Sequence, residues 1–240
     1  LQTKLSPHLC ALDKSDREQF ISRIEKSNDY FQQIINLLTI GESYFYRNHP
    51  HFEALQLHIL PALMERNRES RTIRIWSAGC STGEEPYSLA MLIDRHFPEL
   101  ATWRVSIRAT DINTTFLERA RQGIYTAWSF RGVPDELKKK YFTEEGKNRF
   151  VISPEIRSKV QFEPFNLSKS PFPTDEASQF DLILCRNVLI YFSHELALQI
   201  IMSFADSLRR GGFLMLGHSE SFPAVSGLEK VYSNATFYYE

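Results

Sequence analysis

No stretch of the 240-residue chain approaches the roughly 18 consecutive apolar residues needed to span a bilayer. The opening LQTKLSPHLC also lacks the hydrophobic region of a signal peptide, so a cytoplasmic protein is expected. Cysteine is scarce. Cys10, Cys80 and Cys185 are odd in number and follow neither a CxxC nor a zinc spacing, which argues against a disulfide framework and a structural metal. The seven histidines form no helical HxxxH pair, so no metal site is expected from them either. Excess charge is absent too: a net charge of -1 gives no general attraction to a polyanion and disfavours nucleic acid as the main partner. Internal repeats and low-complexity segments are lacking. The first residue is Leu1 rather than Met, which points to a processed or shortened chain.

What is present is the mixture of a globular protein, with 42% hydrophobic and 24% charged residues, at a length suited to one α/β domain with a short appendage. Eighteen Phe, ten Tyr and three Trp supply aromatic area for a core or a pocket. Residues 13 to 38 carry apolar positions at helical spacing, from Phe20, Ile21 and Ile24 to Phe31, Ile34, Ile35 and Leu38, and Asp13 or Ser15 is placed to cap the first helix. One or two helices ending near Gly41 are expected, packed on the larger domain after them. From Thr72 the pattern changes to a strand (Ile73 to Ser77), a helix (Glu84 to Phe97), a strand (Trp103 to Thr110) and a helix (Thr114 to Arg121) closed by Gly123. Such alternation predicts a parallel sheet with right-handed crossovers. Ile124 to Ser158 interrupts it with aromatic and basic residues, read as an insertion of small strands and a helix. Val160 to Phe165 resumes the sheet, and FDLILC (Phe180 to Cys185) reads as a strand buried on both faces. A helix from His194 to Arg209 is expected to stop at Gly211-Gly212, before a strand at Phe213 to Leu216 and a terminal hairpin turning at Ser233-Asn234-Ala235.

The most informative stretch is IWSAGCSTGEEPY, Ile75 to Tyr87: a strand, a loop of small residues, then a helix with Pro86 in its first turn. Small residues let a ligand approach the backbone at the C-terminal edge of a parallel sheet, where open α/β sheets bind ligands. The spacing Gly79-xxx-Gly83 is not GxGxxG, and the acids Glu84-Glu85 would repel a pyrophosphate at the helix N-terminus. A cationic or hydroxyl-bearing ligand is favoured over a dinucleotide; complementing the helix dipole is the other use of these acids. Asp111, just past the second strand, is placed to accept both ribose hydroxyls of an adenosine, a role common to NAD and S-adenosylmethionine enzymes. The competing use, a helix cap, falls better to Asn113. Asn166-Leu167 and Arg186-Asn187 come after later strands at the same edge, and an Arg directly after FDLILC needs a partner. Tyr191 and Phe192 lie close enough to roof a pocket, with core packing the stronger reading for Phe192. Upstream, Arg47 succeeds the aromatic triplet Tyr44-Phe45-Tyr46, and a guanidinium there can stack or clamp a carboxylate.

Together GESYFYRN, IWSAGCSTGEEPYSLAM, ATDIN with ARQGIY, FDLILCRNVLIYF and LGHSES resemble the chemotaxis receptor methyltransferases, the CheR family, in family order from about residue 38 to residue 239. The resemblance implies an α/β, Rossmann-like S-adenosylmethionine-dependent methyltransferase fold: a mostly parallel seven-stranded sheet with a C-terminal antiparallel hairpin. It divides the chain into a short helical region, 1 to 46, and a methyltransferase domain, 47 to 240, carrying an inserted β-subdomain at about 124 to 158. The implied reaction moves a methyl group from S-adenosylmethionine to receptor glutamates, giving methyl esters and S-adenosylhomocysteine, without a metal. Carried over by position, Ser43 and Arg47 touch the cofactor's methionine end, and Ala78 and Glu84 line the methionine and its amino group. Asp111 holds the ribose, Asn166 and Leu167 flank the adenine, and Arg186 with Asn187 closes the site. Arg47 and Tyr191 are implied to orient the acceptor glutamate. Ser43 stands where the family usually has Thr, and Gly41 where some members have Asn. Family members usually carry a longer N-terminal domain with a basic helix that meets the receptor, whereas residues 1 to 46 here hold five Lys or Arg and six Asp or Glu. In some members the β-subdomain docks a receptor's C-terminal peptide. The implied partner is the cytoplasmic domain of methyl-accepting chemotaxis receptors, met by a monomer that does not insert into the membrane.

A glutamate with a pKa of about 4.3 is already a nucleophile at neutral pH, so the expected mechanism needs positioning and exclusion of water rather than a base. His218 is expected to order the sheet edge, and Cys185 to be a packed thiol. Competing functions are an S-adenosylmethionine sensor or scaffold without turnover, an NAD-dependent oxidoreductase, and a methyltransferase for a small carboxylic acid. Loss of Arg47, Asn187 or Tyr191 would mark the sensor, and all three are present.

Overall fold

The computed structural model describes residues 14–169, 171–174, 179–222, 227–233 and 235–240. Cys10, the cap candidate Asp13 and the hairpin residue Asn234 lie outside the described residues. The strands are Thr72–Ala78 (β1), Arg104–Asp111 (β2), Ile124–Tyr125 (β3), Phe142–Glu144 (β4), Phe150–Ile152 (β5), Val160–Pro164 (β6), Phe180–Cys185 (β7), Leu208–Leu216 (β8), Lys230–Ser233 (β9) and Thr236–Tyr239 (β10). Seven form one sheet in the order β6-β2-β1-β7-β8-β10-β9, and β3, β5 and β4 form a small antiparallel sheet. Parallel pairing joins β1 to β2 from Thr72↔Arg104 to Ala78↔Thr110, β1 to β7, β2 to β6 and β7 to β8, while β10 runs antiparallel to β8 and β9. From β1 the chain builds outward to β2 and β6, then crosses back to β7 on the other side. Strand order therefore reverses between β1 and β7, and a crevice opens there at the carboxyl ends of the strands.

The alternation of side chains along β1 sorts the core. Ile73 and Ile75 pack into one buried cluster with Tyr87 and Leu89, and Trp76 and Ala78 pack into the other with Ile183, Phe204 and Leu216. Trp76 meets the rings of Phe165, Phe172, Phe180 and Phe204 and donates its indole N–H to Thr110 Oγ1 at 2.9 Å. All six residues of β7 are buried, as its unbroken apolar run requires of a central parallel strand.

Helices cover both faces: Lys14–Lys26 (α1), Asn28–Leu38 (α2), His49–Ala54 (α3) continuing through a π turn into Leu60–Arg66 (α4), Glu84–His96 (α5), Thr114–Gln122 (α6), Asp135–Tyr141 (α7), Pro154–Arg157 (α8) and His194–Ser207 (α9). Asn113 caps α6, accepting from Phe116 N at 2.9 Å, and Gly123 ends it at φ 67°. One expectation is corrected at α9. The helix stops at Ser207, and Gly211 and Gly212 lie inside β8 rather than ahead of it. Gly211 has φ 73°, a Cβ on Gly212 would sit 2.8 Å from the Arg209 carbonyl oxygen, and the β7 to β8 register shifts between Phe180 and Leu182. The glycines thus make an irregularity within a strand.

Two attachments bring non-sheet residues to the crevice. Helix α2, none of whose residues is buried, is pegged to the start of α6: Gln32 Nε2 donates to the Ile112 carbonyl, Asn36 exchanges bonds with Thr114, and Asn113 Nδ2 donates to Thr39 Oγ1 at 2.6 Å. The small sheet region packs on the GESYFYR segment through Phe45, whose ring lies 4.8 to 5.1 Å from those of Tyr125, Phe130 and Phe142. Among the described residues no helix is long and apolar enough to cross a membrane.

Candidate active site

The loop after β1 is shaped by close approach. Gly79 has φ 77°, and a Cβ there would lie 2.4 Å from Val188 Cγ2 in the segment after β7, so a side chain cannot be placed without moving that wall. The N–H groups of Gly79 and Cys80 both donate to the Thr110 carbonyl, at 2.7 and 2.9 Å, and tie the loop to β2. Ser81, at φ 50°, turns its N–H onto Asp111 Oδ2 at 2.8 Å. A non-glycine residue in that region is strained, and strain of this kind gathers at functional sites. Asn113 N meets the other oxygen of Asp111 at 2.8 Å. Burial raises the Asp111 carboxyl above its ordinary range, and the N–H groups of Asn113, Ser81 and Ile112 oppose that shift. Each oxygen keeps acceptor capacity for a further donor, and Asp111 lines a cavity of about 360 Å³.

The opposite wall is built around Arg186, whose side chain is 3% exposed. Nε donates to His51 Nδ1 at 2.8 Å, Nη1 pairs with Glu85 Oε2 at 3.0 Å, and Nη2 donates to the Arg47 carbonyl. The Arg after FDLILC therefore has partners on three sides, from α3, α5 and the GESYFYR segment. Burial lowers the pKa of this guanidinium and Glu85 raises it again. His51 is fully buried; burial first, and then Arg186 and His218, push its pKa down to about 3. It is neutral, and because Nδ1 accepts, its proton is assigned to Nε2.

The two neighbouring acids point different ways. Glu85 lines the cavity, held by Ser77 Oγ at 2.7 Å and by Arg186. Glu84 does not: it is 3% exposed and accepts from Thr82 Oγ1 at 2.7 Å and Ser129 Oγ at 3.2 Å, with Ser43 also bonded to it. Consecutive helical residues project about 100° apart, and here the two carboxylates leave the helix start toward different partners. Glu84, expected at the cofactor's amino group, thus lies outside the cavity lining, whereas Glu85 is part of it. Ala78 is not among the lining residues either. It is wholly buried in the core cluster around Trp76, and the cavity floor beyond it is made by Gly79, Cys80 and Ser81.

The remaining sequence-derived residues Ser43, Arg47, Asp111, Asn166, Leu167, Arg186, Asn187 and Tyr191 all line the same cavity, and so does Phe192. Tyr191 is 51% exposed at its rim. Phe31, Ile35 and Leu38 of α2 add an apolar wall that the sequence suggested only as a helix face. Two supporting residues had no assigned role. Glu220, in LGHSES, is 2% exposed and accepts from Asn187 N and Gly217 N at 2.7 Å each and from Ile190 N at 3.2 Å. It thereby fixes Asn187 at φ 59°, and a Cβ on Gly217 would fall 2.5 Å from its Oε2. The second is His51; its sequence signal was no more than one histidine among seven. His218 is exposed. Cys80 and Cys185 are free and buried, and burial pushes both thiols well above their usual range, which leaves them poor nucleophiles. Among the described residues no cluster of three or more His, Cys, Asp or Glu could hold a metal ion.

Residues 41–237 match the family model described as CheR methyltransferase, SAM binding domain. The chain is 35% identical over 236 residues to a chemotaxis protein methyltransferase of Borreliella burgdorferi, covering 96% of this chain and 83% of that protein. It is 36% identical over 220 residues to chemotaxis protein methyltransferase 2 of Vibrio cholerae, covering 91% and 76%. With a chemotaxis protein methyltransferase of Listeria monocytogenes the identity is 38% over 212 residues, covering 88% and 77%.

Proposed function

The chain belongs to the CheR methyltransferase family, an S-adenosylmethionine-dependent group of enzymes, and from that premise we propose that it methylates glutamate side chains of chemoreceptors, yielding glutamate methyl esters and S-adenosylhomocysteine. The observation that carries the reading is the placement of Asp111, Glu85, Arg47 and Tyr191 around one cavity at the strand-order reversal. Its volume of about 360 Å³ lies within the range of sites for small molecules. The donor set fits the cofactor: acceptor oxygens on Asp111 for a vicinal diol, a carboxylate on Glu85 for an ammonium, and apolar walls from α2, Phe165 and Leu167 for a base. The missing side chain at Gly79 lets Val188 close against the loop, and both line the cavity.

When bound, the cofactor supplies an electrophilic methyl group on a sulfonium. The protein's residues do the rest. Asn166 and Leu167 would flank the adenine, Asp111 would accept the ribose hydroxyls, and Glu85 would take the amino group while Ser43 and Arg47 would meet the methionine end. Arg186 acts through Glu85 and the Arg47 backbone, and Asn187, fixed by Glu220, closes the wall. At the rim Arg47 and Tyr191 orient the acceptor carboxylate, which is ionised at neutral pH and needs no base. Because a sulfonium and a carboxylate would both lose charge in such a transfer, the apolar walls that exclude water from the cavity would favour it. In this reading residues 1 to 46 form a helical region and 47 to 240 the methyltransferase domain, with a β-subdomain at about 124 to 158 available for a receptor's C-terminal peptide. The protein works as a cytoplasmic monomer.

The test is incubation with methyl-labelled S-adenosylmethionine and purified cytoplasmic fragments of chemotaxis receptors. Base-labile label on the fragments is expected. Tight cofactor binding with no label on any fragment would instead support a sensor.

A further inference from the structure

Trp128 is 68% exposed, in a segment that is otherwise firmly held. Ser129 and Phe130, its neighbours in the short 3-10 turn Ala127–Phe130, are buried. Phe45 N donates to the Ser129 carbonyl at 2.9 Å, Ser129 Oγ donates to Glu84, and Phe130 stacks on Phe45 at 5.1 Å. Ala127 N is held by Asn148 Oδ1 at 2.7 Å. The indole is therefore presented to solvent by a fixed backbone, at the steady cost of an apolar surface left in water.

Arg131 lies between two rings. Its Cζ is 4.3 Å from the centroid of Trp128 and 4.0 Å from that of Tyr44. Tyr44 lines the cavity, and Arg47 approaches the same ring at 5.7 Å, so the aromatic and cationic surface runs from Trp128 to the cavity mouth without a break in contact. Arg131 also donates to the Trp128 carbonyl and to Glu42 Oε1, each at 3.2 Å. Glu42 is 62% exposed, and a pair this open exchanges readily with a carboxylate from outside. Stacking holds the guanidinium plane, and the N–H edge now turned to Glu42 is the one an incoming carboxylate would take over. Rigid aromatics beside an Arg are the composition of binding anchors.

We propose that Tyr44, Trp128 and Arg131 form a docking platform for the polypeptide flanking the acceptor glutamate, with an apolar side chain laid on Trp128 and an acidic one on the edge of Arg131. This rests on the reading of the chain as a protein-glutamate methyltransferase. Two arguments choose that occupant: the platform is continuous through Tyr44 with the cavity an acceptor must enter, and its Arg131, with Arg47 beside the same ring, complements an acidic side chain. Neither Trp128 nor Arg131 lines the cofactor cavity, so acceptor recognition separates from cofactor binding.

The experiment compares wild type with Trp128→Ala, Arg131→Glu and Trp128→Phe, measuring cofactor affinity by calorimetry and methylation of a receptor cytoplasmic fragment over a range of fragment concentrations. Trp128→Ala and Arg131→Glu should raise KM for the fragment by roughly tenfold or more, the scale of losing an interface anchor, with cofactor affinity unchanged within about twofold. Trp128→Phe should recover most of the loss. Unchanged KM in both variants, or cofactor affinity falling in parallel, would overturn the platform. So would a wild-type dimer that Trp128→Ala dissolves without a change in KM, because the indole would then serve a second copy of the chain. If the wild type labels no fragment at all, the glutamate-methylation reading itself fails and takes the platform with it.

Discussion

Replacing Glu85 with Gln removes a negative charge whose oxygens accept from Ser77 Oγ at 2.7 Å and from Arg186 Nη1 at 3.0 Å, in a group that is 14% exposed. The substitution acts in two ways. The cofactor's ammonium loses a charge-assisted hydrogen bond, a class of contact of about 1.5 to 3 kcal/mol. Arg186, 3% exposed, loses its carboxylate and keeps only neutral acceptors. At about 1.4 kcal/mol per tenfold, the first effect alone predicts roughly 10- to 100-fold weaker binding of S-adenosylmethionine. Glu84→Gln makes the control. Its carboxylate bonds Thr82, Ser129 and Ser43 without lining the cavity and would reach the cofactor only through Ser43, so cofactor affinity should change by less than about threefold while stability drops by about 1 to 2 kcal/mol. Titration calorimetry with S-adenosylmethionine, beside urea unfolding of each variant, reads both quantities. If Glu84→Gln weakens binding as much as Glu85→Gln, or Glu85→Gln leaves affinity within about threefold, the division of labour between the two acids is wrong.

Asp111→Asn keeps one acceptor oxygen and adds a donor, so cofactor affinity should fall by roughly tenfold or more in the same calorimetric assay; an unchanged value would remove Asp111 from the ribose. Tyr191→Phe should lower kcat for receptor methylation with little change in cofactor affinity, because the ring stays and only the rim hydroxyl is lost. Equal loss of both would rule out the positioning role. His51 bears on pH. Its folded pKa, depressed to about 3, lies below the unfolded value of about 6.5, so the unfolded chain binds the extra proton between those limits. The stability it contributes is complete above about pH 6.5 and is lost as pH falls toward 3, with a slope of at most about 1.4 kcal/mol per pH unit. The difference in unfolding free energy between wild type and His51→Gln should therefore decline over that window, and a difference that grows on acidification would refute the assignment.

The fold was readable wherever one physical cause acts alone. FDLILC is apolar on consecutive positions, and only a strand covered on both faces buries such a run; β7 is that strand. Asn113 and Gly123 are local devices, a side-chain acceptor and a left-handed turn, and both end α6 as their chemistry dictates. Gly211-Gly212 misled because a glycine pair satisfies two causes equally, a helix stop and a bulge. Arg66 Nη1 lies 2.9 Å from the place a Cβ on Gly211 would occupy, a contact between residues 145 positions apart that no local pattern announces.

The site divides along the same line. Residues at strand ends reach the cavity because a parallel sheet delivers every carboxyl end to one edge, which makes Asp111, Asn166 and Arg186 legible from topology alone. Which of Glu84 and Glu85 faces the cavity depends instead on the rotation of α5 about its axis. That rotation is set by partners far away in sequence: Arg186 pulls Glu85 inward from 101 positions on, and Ser129 holds Glu84 outward from 45. Glu220 is hidden for a related reason. A carboxylate that binds backbone N–H groups leaves no requirement on the residue types it holds, except at Gly217, where a side chain would not fit. The cavity residues that follow strands are thus announced by where strands end, whereas the residues that aim them are announced only by contacts across the fold. Substitutions at Glu85, Glu220 and His51 are where a sequence pattern alone would most underestimate the loss.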